Sequence, residues 1–521
     1  MVSRRLSLVV AIAGVAAAWA AARYAIFTPL FWVLLLVTIL LLPSHERRLI
    51  DRRWFLVVLL VLCLSWLVAA DHELAIRHSL LALAAVVLFG LARRAAADDR
   101  ILTVVALGVS LTAIVALGQA LGGLERARTL LGELPVGWRE AAATRLSQGR
   151  VFGTAALPGH FAALLLLAAP LVVERAWNGS GWRRAGWGMI LVLIATATVL
   201  TRSLAAPLVA ALLLLPVLVR HRRNRKVQLA AAVLLVVAGL IIGVRRDLLR
   251  LEPLQLRWVN WRTTGWVFTQ HPWLGVGLGG VGQAGLVAPT AARNITPYAH
   301  NTYLQLTAEL GLAGVGLLAA GVWALVSLIR VGSRAHPGLA LSVAAIPLHN
   351  LVDFSAYAPE VLLPWVVLAG ILAGRTLAPP TRGGRGWTLL ALAGAGALLS
   401  TLAWRGEVEM ASAVAAPPER ALRPALAAAR WAPWTVTPLQ LAAGLALETH
   451  APAAVLSAVD ARLAARAWVT PVSASWAEGR ARLLLAQGKR GEALVWAREA
   501  RHRAPWREDV VELEAACTDA R

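Results

Sequence analysis

The chain reads as an all-α, polytopic membrane protein of about thirteen transmembrane helices, followed by a small α-helical repeat domain. Three observations predict this. Hydrophobic residues make up 59% of the 521 positions and charged residues only 15%, against about 25% charged in soluble domains. Apolar runs of 16 to 20 residues recur over the first 400 positions, the length that crosses a hydrocarbon core about 30 Å thick. The last stretch, 405–521, leaves this pattern and carries a helical repeat instead.

The spans fall near residues 6–22, 26–42, 54–70, 79–92, 101–120, 156–173, 185–201, 203–219, 227–244, 303–329, 337–351, 360–377 and 387–404. Between alternate pairs lie "SHERRLIDRR", "RRAAADDR", "ERAWNGSGWRR", "RHRRNRK", "RVGSR" and "RTLAPPTRGGR"; with Arg4 and Arg5 these hold 22 Arg or Lys. The short loops on the other side hold almost none apart from Arg23 and Arg77. The positive-inside rule then puts the N-terminus in the cytoplasm and everything after the thirteenth span outside. Topology accounts for the formal charge of +23, so the basicity gives no ground for a nucleic-acid partner. "MVSRRLSLVVAIAGVAAAWA" has the basic region, apolar core and Ala-x-Ala ending of a signal peptide. The next span follows within about six residues, which favours a retained first helix. Cys63 sits in a span and Cys517 near the end, so no disulfide is expected.

Two outer stretches are long, 121–155 and 245–301, and both belong to a membrane domain of residues 1–404. The third outer piece is 405–521. In it "ERALRPALAAARWAPW" and "GEALVWAREARHRAPW" share Ala421/Ala493, Ala428/Ala500 and Pro433/Pro505. That spacing resembles the second helix of a tetratricopeptide repeat, with Gly488 suited to the turn before it. Small alanines let paired helices pack closely, and the proline ends the pair. A generic alanine-rich helical bundle is the other reading. A short solenoid of this kind supports binding or positioning rather than chemistry.

Within the second stretch Gly277, Gly279 and Gly282 spell G-x-G-x-x-G, the spacing of a dinucleotide-binding loop. Such a loop needs a strand before it and an acidic residue about 20 positions on. Here the preceding segment reads as an amphipathic helix with Trp258, Trp261, Gly265 and Phe268 near one face, and no Asp or Glu occurs between Glu252 and Glu309. No nucleotide cofactor is expected. The glycines instead permit tight turns beside the membrane and a close backbone approach to a ligand.

"PYAHNTYLQLTAELGLAGVG" follows, with His300 and Asn301 at the outer start of the tenth span and Asn301 a natural N-cap. Free helix N–H groups and an imidazole there suit a phosphate-bearing substrate. The alternative is an interfacial histidine hydrogen-bonded to a loop.

His-Asn-x9-Gly-x-x-Gly resembles the signature of the O-antigen ligase and polymerase superfamily. "WVFTQHPWLGVGLGGVG" is similar to its Pro-x-x-Gly-x-Gly block, and "LTRSLAAPLVAALLLLP" to its Ser-Arg-Ser-type span start. "GRVFGTAALPGHFAALLLLAAP" and "PLHNLVDFSAYAPE" also fit, so the resemblance spans about residues 145–378. Leu204 and Ala205 depart from the usual Arg-Gly, and Gly159 stands where Asn is common. The resemblance implies a glycosyltransferase C-like fold. It also implies transfer of a glycan from an undecaprenyl-diphosphate-type carrier to an acceptor hydroxyl outside the bacterial cytoplasmic membrane, in cell-envelope polysaccharide or lipopolysaccharide synthesis. The acceptor is a glycan, lipid core or protein in a ligase, and a second lipid-linked chain in a polymerase. The C-terminal repeats invite a protein partner.

On this reading Arg202, Arg257 and Arg262 clamp the diphosphate, since guanidinium forks match phosphate oxygens, and His300 orients or deprotonates the acceptor hydroxyl. Candidate substrate-binding residues are Asn301, Glu309, Asp353, Tyr357, Gly277 and Gly279. Glu309 lies about 13 Å deeper along the tenth span at 1.5 Å per residue. An intramembrane carboxylate is a functional candidate by default, with pairing to a neighbouring Arg as its alternative. No metal is expected. The rival is a divalent cation at Asp71 and Glu73 of "DHE", which ends the third span. A lipid-linked sugar flippase and a pure scaffold are the non-enzymatic alternatives; the flippase is opposed by the gathering of polar groups at one face rather than at the bilayer midplane.

Overall fold

The computed structural model describes residues 29–41, 52–133, 136–220, 252–291, 294, 296–377 and 386–518, with six isolated positions between 225 and 239. The predicted span 6–22 and most of 227–244 lie outside the described residues. Among the described residues every regular element is helical. In chain order they are α1 (Pro29–Leu41), α2 (Arg52–Leu67), α3 (His72–Arg94), α4 (Asp99–Gly118), α5 (Leu124–Thr129), α6 (Val136–Ser147) and α7 (Pro158–Asn178). Next come α8 (Gly181–Thr201), α9 (Ala205–Arg220), α10 (Glu252–Gln270), the short α11 (Val281–Ala284), α12 (Thr302–Ala335), α13 (Pro337–His349) and α14 (Pro359–Thr376). The C-terminal set is α15 (Gly386–Ala415), α16 (Pro418–Trp431), α17 (Thr437–Glu448), α18 (Ala453–Ala464), α19 (Ala474–Ala486), α20 (Arg490–Arg503) and α21 (Glu508–Thr518).

Six of these helices, within the described residues, are long and apolar enough to cross a membrane: α3, α4 with its continuation, α7, α8, α12 and α14. Shorter apolar helices include α9 and α13. The protein is a polytopic, all-α membrane protein. Eleven of the thirteen predicted spans coincide with a helix. Two differences bear on the site. α9 begins at Ala205 rather than 203, because Arg202 leaves α8 in the left-handed region at φ 51°. α12 is broken at Gly311 (φ 61°, ψ −150°), where hydropathy alone predicts one straight span.

α3 and α14 pack most closely, and small residues four apart permit it. A Cβ on Gly370 would lie 2.9 Å from Ala92 Cβ, and one on Gly374 would meet the Arg93 carbonyl, the close approach that small-xxx-small spacing serves in membranes. α7 lies against α8 and α13, and its buried leucines Leu164, Leu165, Leu167 and Leu171 form the middle of the core.

The two ends of the bundle differ. At one end the terminal turns of the helices carry Arg93, Arg94, Arg175, Arg183, Arg184, Arg330, Arg334 and Arg375. Arg375 pairs with Asp99 at 2.6 Å, and Arg175 donates to Thr103 at 2.7 Å. At the other end lie the residues expected to be functional.

The acidic pair of "DHE" belongs to the scaffold. Asp71 caps α3, accepting from the Leu74 amide at 3.0 Å. Glu73 pairs with Arg77 at 2.9 Å and accepts from the Thr435 hydroxyl of the C-terminal helices. Burial pushes the Asp71 carboxyl up to about 6, with Glu73 adding to the rise and the Leu74 amide opposing it. A folded-state value above the unfolded one favours the folded protein at low pH, a contribution lost as pH rises through 6. Asp71→Asn is therefore expected to keep the cap and remove that loss, leaving thermal stability at pH 8 equal or higher. Asp71→Ala should cost about 0.5–2 kcal/mol. A loss of stability in the Asn variant matching that in the Ala variant would contradict this account.

In the C-terminal set, α16 packs on α15 and α17, and α20 on α19 and α21. Ala421, Ala428, Ala493 and Ala500, matched in the repeat reading, are all buried.

Candidate active site

Four helix ends build this site: α7, α12 and α14 begin here and α13 ends here. Pro158 and Pro359 open α7 and α14, where the absent N–H is no loss. Asn301 caps α12 as its position predicts, its Oδ1 accepting from the Tyr303 and Leu304 amides at 3.0 Å. The ends are tied to one another. The Ala156 amide donates to Glu360 Oε1 at 3.2 Å, joining α7 to α14. The Thr302 amide donates to the Asn350 and Asp353 carbonyls at 3.0 and 3.1 Å, joining α12 to the loop after α13. Three helix N-termini thus gather at one end, each with its partial positive charge.

His300 stands just before the cap with φ 54°, a left-handed conformation that histidine adopts more readily than most side chains. Its ring meets Phe354 edge-on at 4.9 Å, and Tyr298 stacks on the same Phe354 at 4.3 Å. Burial pushes the His300 imidazole below its usual value; Asp353 opposes this, while Arg257 and His160 add to it. Burial alone would raise the Asp353 carboxyl, but His349, His160, the Phe354 amide and His300 outweigh it and hold it below the ordinary carboxylate range. The arrangement is a neutral imidazole beside an ionised carboxylate. It can accept a proton and stabilise the imidazolium that forms.

Asp353 is seated closely. Its Oδ1 accepts from the Phe354 amide at 2.7 Å, and its Oδ2 lies 3.8 Å from His349 Nδ1. A Cβ on Gly159 would come within 2.6 Å of that Oδ2. The Gly159 departure from the family pattern thus leaves room for this carboxylate.

A second cluster surrounds Glu309, which is fully buried. Tyr357 donates to it at 2.6 Å and Gln305 at 2.7 Å, and the Gly279 amide is directed at the same carboxylate. Burial and the Glu309 charge both keep the Tyr357 phenol protonated. Gln305 in turn accepts from the Ala299 amide at 2.7 Å. Glu309 therefore anchors the segment that carries His300; its protein partners are Tyr357, Gln305 and Gly279 rather than an arginine.

The glycine loop packs on the chain itself. Gly275, Gly277 and Gly279 all have φ between 70° and 78°. A Cβ on Gly277 would lie 2.6 Å from Ala69 Cα, and one on Gly279 2.6 Å from Leu74 Cβ. The Gly277 amide donates to the Glu309 carbonyl at 2.9 Å, and the Leu278 amide to Ser65 at 2.8 Å. Gly277 and Gly279 thus make a close backbone approach to α2, α3 and α12. Asn301 is likewise engaged: besides the cap, its Nδ2 donates to the Leu351 carbonyl at 2.9 Å.

The three arginines separate. Arg257 is half-buried on α10 and acts electrostatically on both His300 and His349. Arg262, five residues on, is about 140° around the same helix at 100° per residue, on an exposed stripe with Trp258 and Gly265. Trp261 and Phe268, expected on that same face, are half-buried instead. Arg202 lies at the end of α8, its Nη1 donating to the Gln148 carbonyl at 3.3 Å.

Sequence reasoning did not single out His160, His349, Glu360 or Phe354. His160 Nδ1 is 3.3 Å from Glu360 Oε1, and the Nε2 atoms of His160 and His349 are buried without a hydrogen-bond partner among the described residues. The available signal was the ionisable residue inside an apolar run, "LPGHFAALLLL" and "AAIPLHN", the criterion that had found Glu309.

Fold and site together define a multi-pass membrane protein with an imidazole and a carboxylate gathered at the end opposite its arginine-rich helix ends. Residues 188–319 match the family model described as O-antigen ligase. The matched stretch contains Arg202, Arg257, Arg262, Gly277, Gly279, His300, Asn301 and Glu309, and ends before Asp353 and Tyr357. No curated protein matches the sequence. The match supports a glycan-transfer role of the ligase and polymerase kind, in a membrane setting with lipid-linked glycan substrates.

Proposed function

We propose that the protein transfers a glycan from an undecaprenyl-diphosphate-type carrier to an acceptor hydroxyl at the outer face of the bacterial cytoplasmic membrane, in the manner of an O-antigen ligase. The observation that carries this is the half-buried His300 just before α12, held at φ 54° with its ring against Phe354 and with Asp353 and Arg257 close enough to act on it electrostatically. In the reaction the acceptor O–H breaks and its proton passes to His300. The acceptor oxygen bonds to the anomeric carbon, and the bond from that carbon to the diphosphate breaks with its electron pair on the phosphate oxygen. Arg257, and Arg202 from the α8 end, are the proposed partners of the departing charge. The carrier bond supplies the driving energy, so no nucleotide is called for, and the transfer is taken to be metal-independent. Asp71 and Glu73, the residues of the rival cation site, are engaged by the α3 cap, Arg77 and Thr435.

The N-terminus is assigned to the cytoplasm and the helices after α15 to the outside, on the distribution of arginine. Those helices are assigned a tetratricopeptide-like role in holding a long polysaccharide or protein acceptor. Purified protein in liposomes carrying lipid-linked glycan and acceptor on the accessible side tests the reading. Bond formation undiminished by chelator is the expected result; movement of the lipid-linked sugar across the bilayer without bond formation would identify a flippase instead. A polymerase is distinguished by its product, since it would extend the lipid-linked chain itself.

A further inference from the structure

Besides the site, the same end of the molecule carries an uncovered apolar rim contributed by three separate segments. α2 ends with Trp66 and Leu67, the latter 78% exposed. The turn after α10 presents Trp273, 73% exposed, and Leu274. The loop between α18 and α19 presents Ala467, Trp468, Pro471 and Val472, within an uncharged run from Ala467 to Ala477. Exposed tryptophans in such numbers are unusual on a surface that faces only water.

The three segments are held together. His72 donates its amide to the Val469 carbonyl at 2.8 Å. Its ring meets Trp66 edge-on at 5.5 Å and Trp468 at 5.6 Å. Val68, Pro272, Trp273, Leu274, Pro471 and Val472 line a common hollow of about 390 Å³. The 466–473 loop is therefore fixed against the last turn of α2, and its exposed side chains continue the apolar flank that α2 shows through Leu56, Leu60 and Leu67. In a membrane protein that flank faces lipid.

We propose that the C-terminal helical domain is seated on the outer leaflet through this loop, with Trp468 and Val472 at the headgroup–acyl boundary beside Trp66 and Trp273, and the hollow filled by lipid chain. Tryptophan suits that depth because its ring is apolar while its N–H finds polar partners. The domain then lies against the bilayer instead of standing clear of it, and whatever it binds is presented at membrane level.

The test uses the full chain in liposomes, with Cys63 and Cys517 replaced by Ser and an environment-sensitive fluorophore placed through Val472→Cys. A second protein carries the probe through Lys489→Cys, in the turn at the far end of α19, about 20 Å along a helix rising 1.5 Å per residue. Lipids bearing a nitroxide near the top of the acyl chain should quench the probe at 472 several-fold more than at 489. Equal, weak quenching with full access to aqueous iodide at 472 would overturn the proposal. So would shielding that grows with the protein-to-lipid ratio without nitroxide quenching, which would make a second copy the occupant. Trp468→Glu with Val472→Glu should raise deuterium exchange across 466–473, while an unchanged exchange rate would count against the seat.

Discussion

His300→Ala is expected to lower glycan transfer by about two to four orders of magnitude, the range spanned by general acid–base catalysis, with the protein still folded in the membrane. The left-handed backbone at position 300 complicates that variant, since alanine is strained at φ 54°. His300→Asn is the stricter partner: asparagine tolerates this conformation and cannot take the proton. Both variants retaining full activity would remove His300 from the chemistry. The pH profile adds an independent readout. Burial lowers the imidazole below its usual value, so the base form persists at pH values where a free histidine is largely protonated. Transfer should fall only below about 6.5, the ordinary histidine value. Asp353→Asn removes the charge that favours the imidazolium. It should therefore move this acid limb to still lower pH and reduce the plateau rate, and an acid limb moving upward would contradict the pairing.

Gly311→Val is expected to prevent accumulation of folded protein. The backbone there, φ 61° and ψ −150°, belongs to a region close to one that only glycine enters freely. A Cβ would meet the Trp273 carbonyl and lie 2.7 Å from the Gly275 nitrogen. The obstruction is backbone on both sides, so no side chain can swing aside. The combined cost belongs with the exceptional losses, above about 4 kcal/mol. Gly316→Val and Gly321→Val, in the same helix but with nothing within 4 Å, serve as controls and should accumulate normally. Equal yields of all three in size-exclusion of detergent extracts would show that the break in α12 is dispensable.

The helical class and most spans were legible in the sequence because lipid imposes a simple rule: about 20 apolar residues per crossing. The N-cap at Asn301 was legible for the same kind of local reason. The break at Gly311 was not, because it depends on contact with Trp273 and Gly275, about 36 to 38 residues upstream. The intramolecular partners of Glu309 and Gly277 were not legible on similar grounds. Nothing in the spacing of the sequence pairs Glu309 with the Tyr357 hydroxyl or Gly277 with the Ala69 backbone. Histidines 160 and 349 escaped notice because a lone imidazole in an apolar run carries no spacing pattern; only the fold sets both near Asp353.

The contact of Asp353 with Gly159 reaches beyond this one chain. No side chain at 159 is compatible with the carboxylate where it now sits. Substitutions at these two distant positions are therefore expected to be coupled. A homologue with asparagine at the first must shorten, neutralise or swing away the second, and swapping either residue alone between relatives should be less tolerated than swapping both.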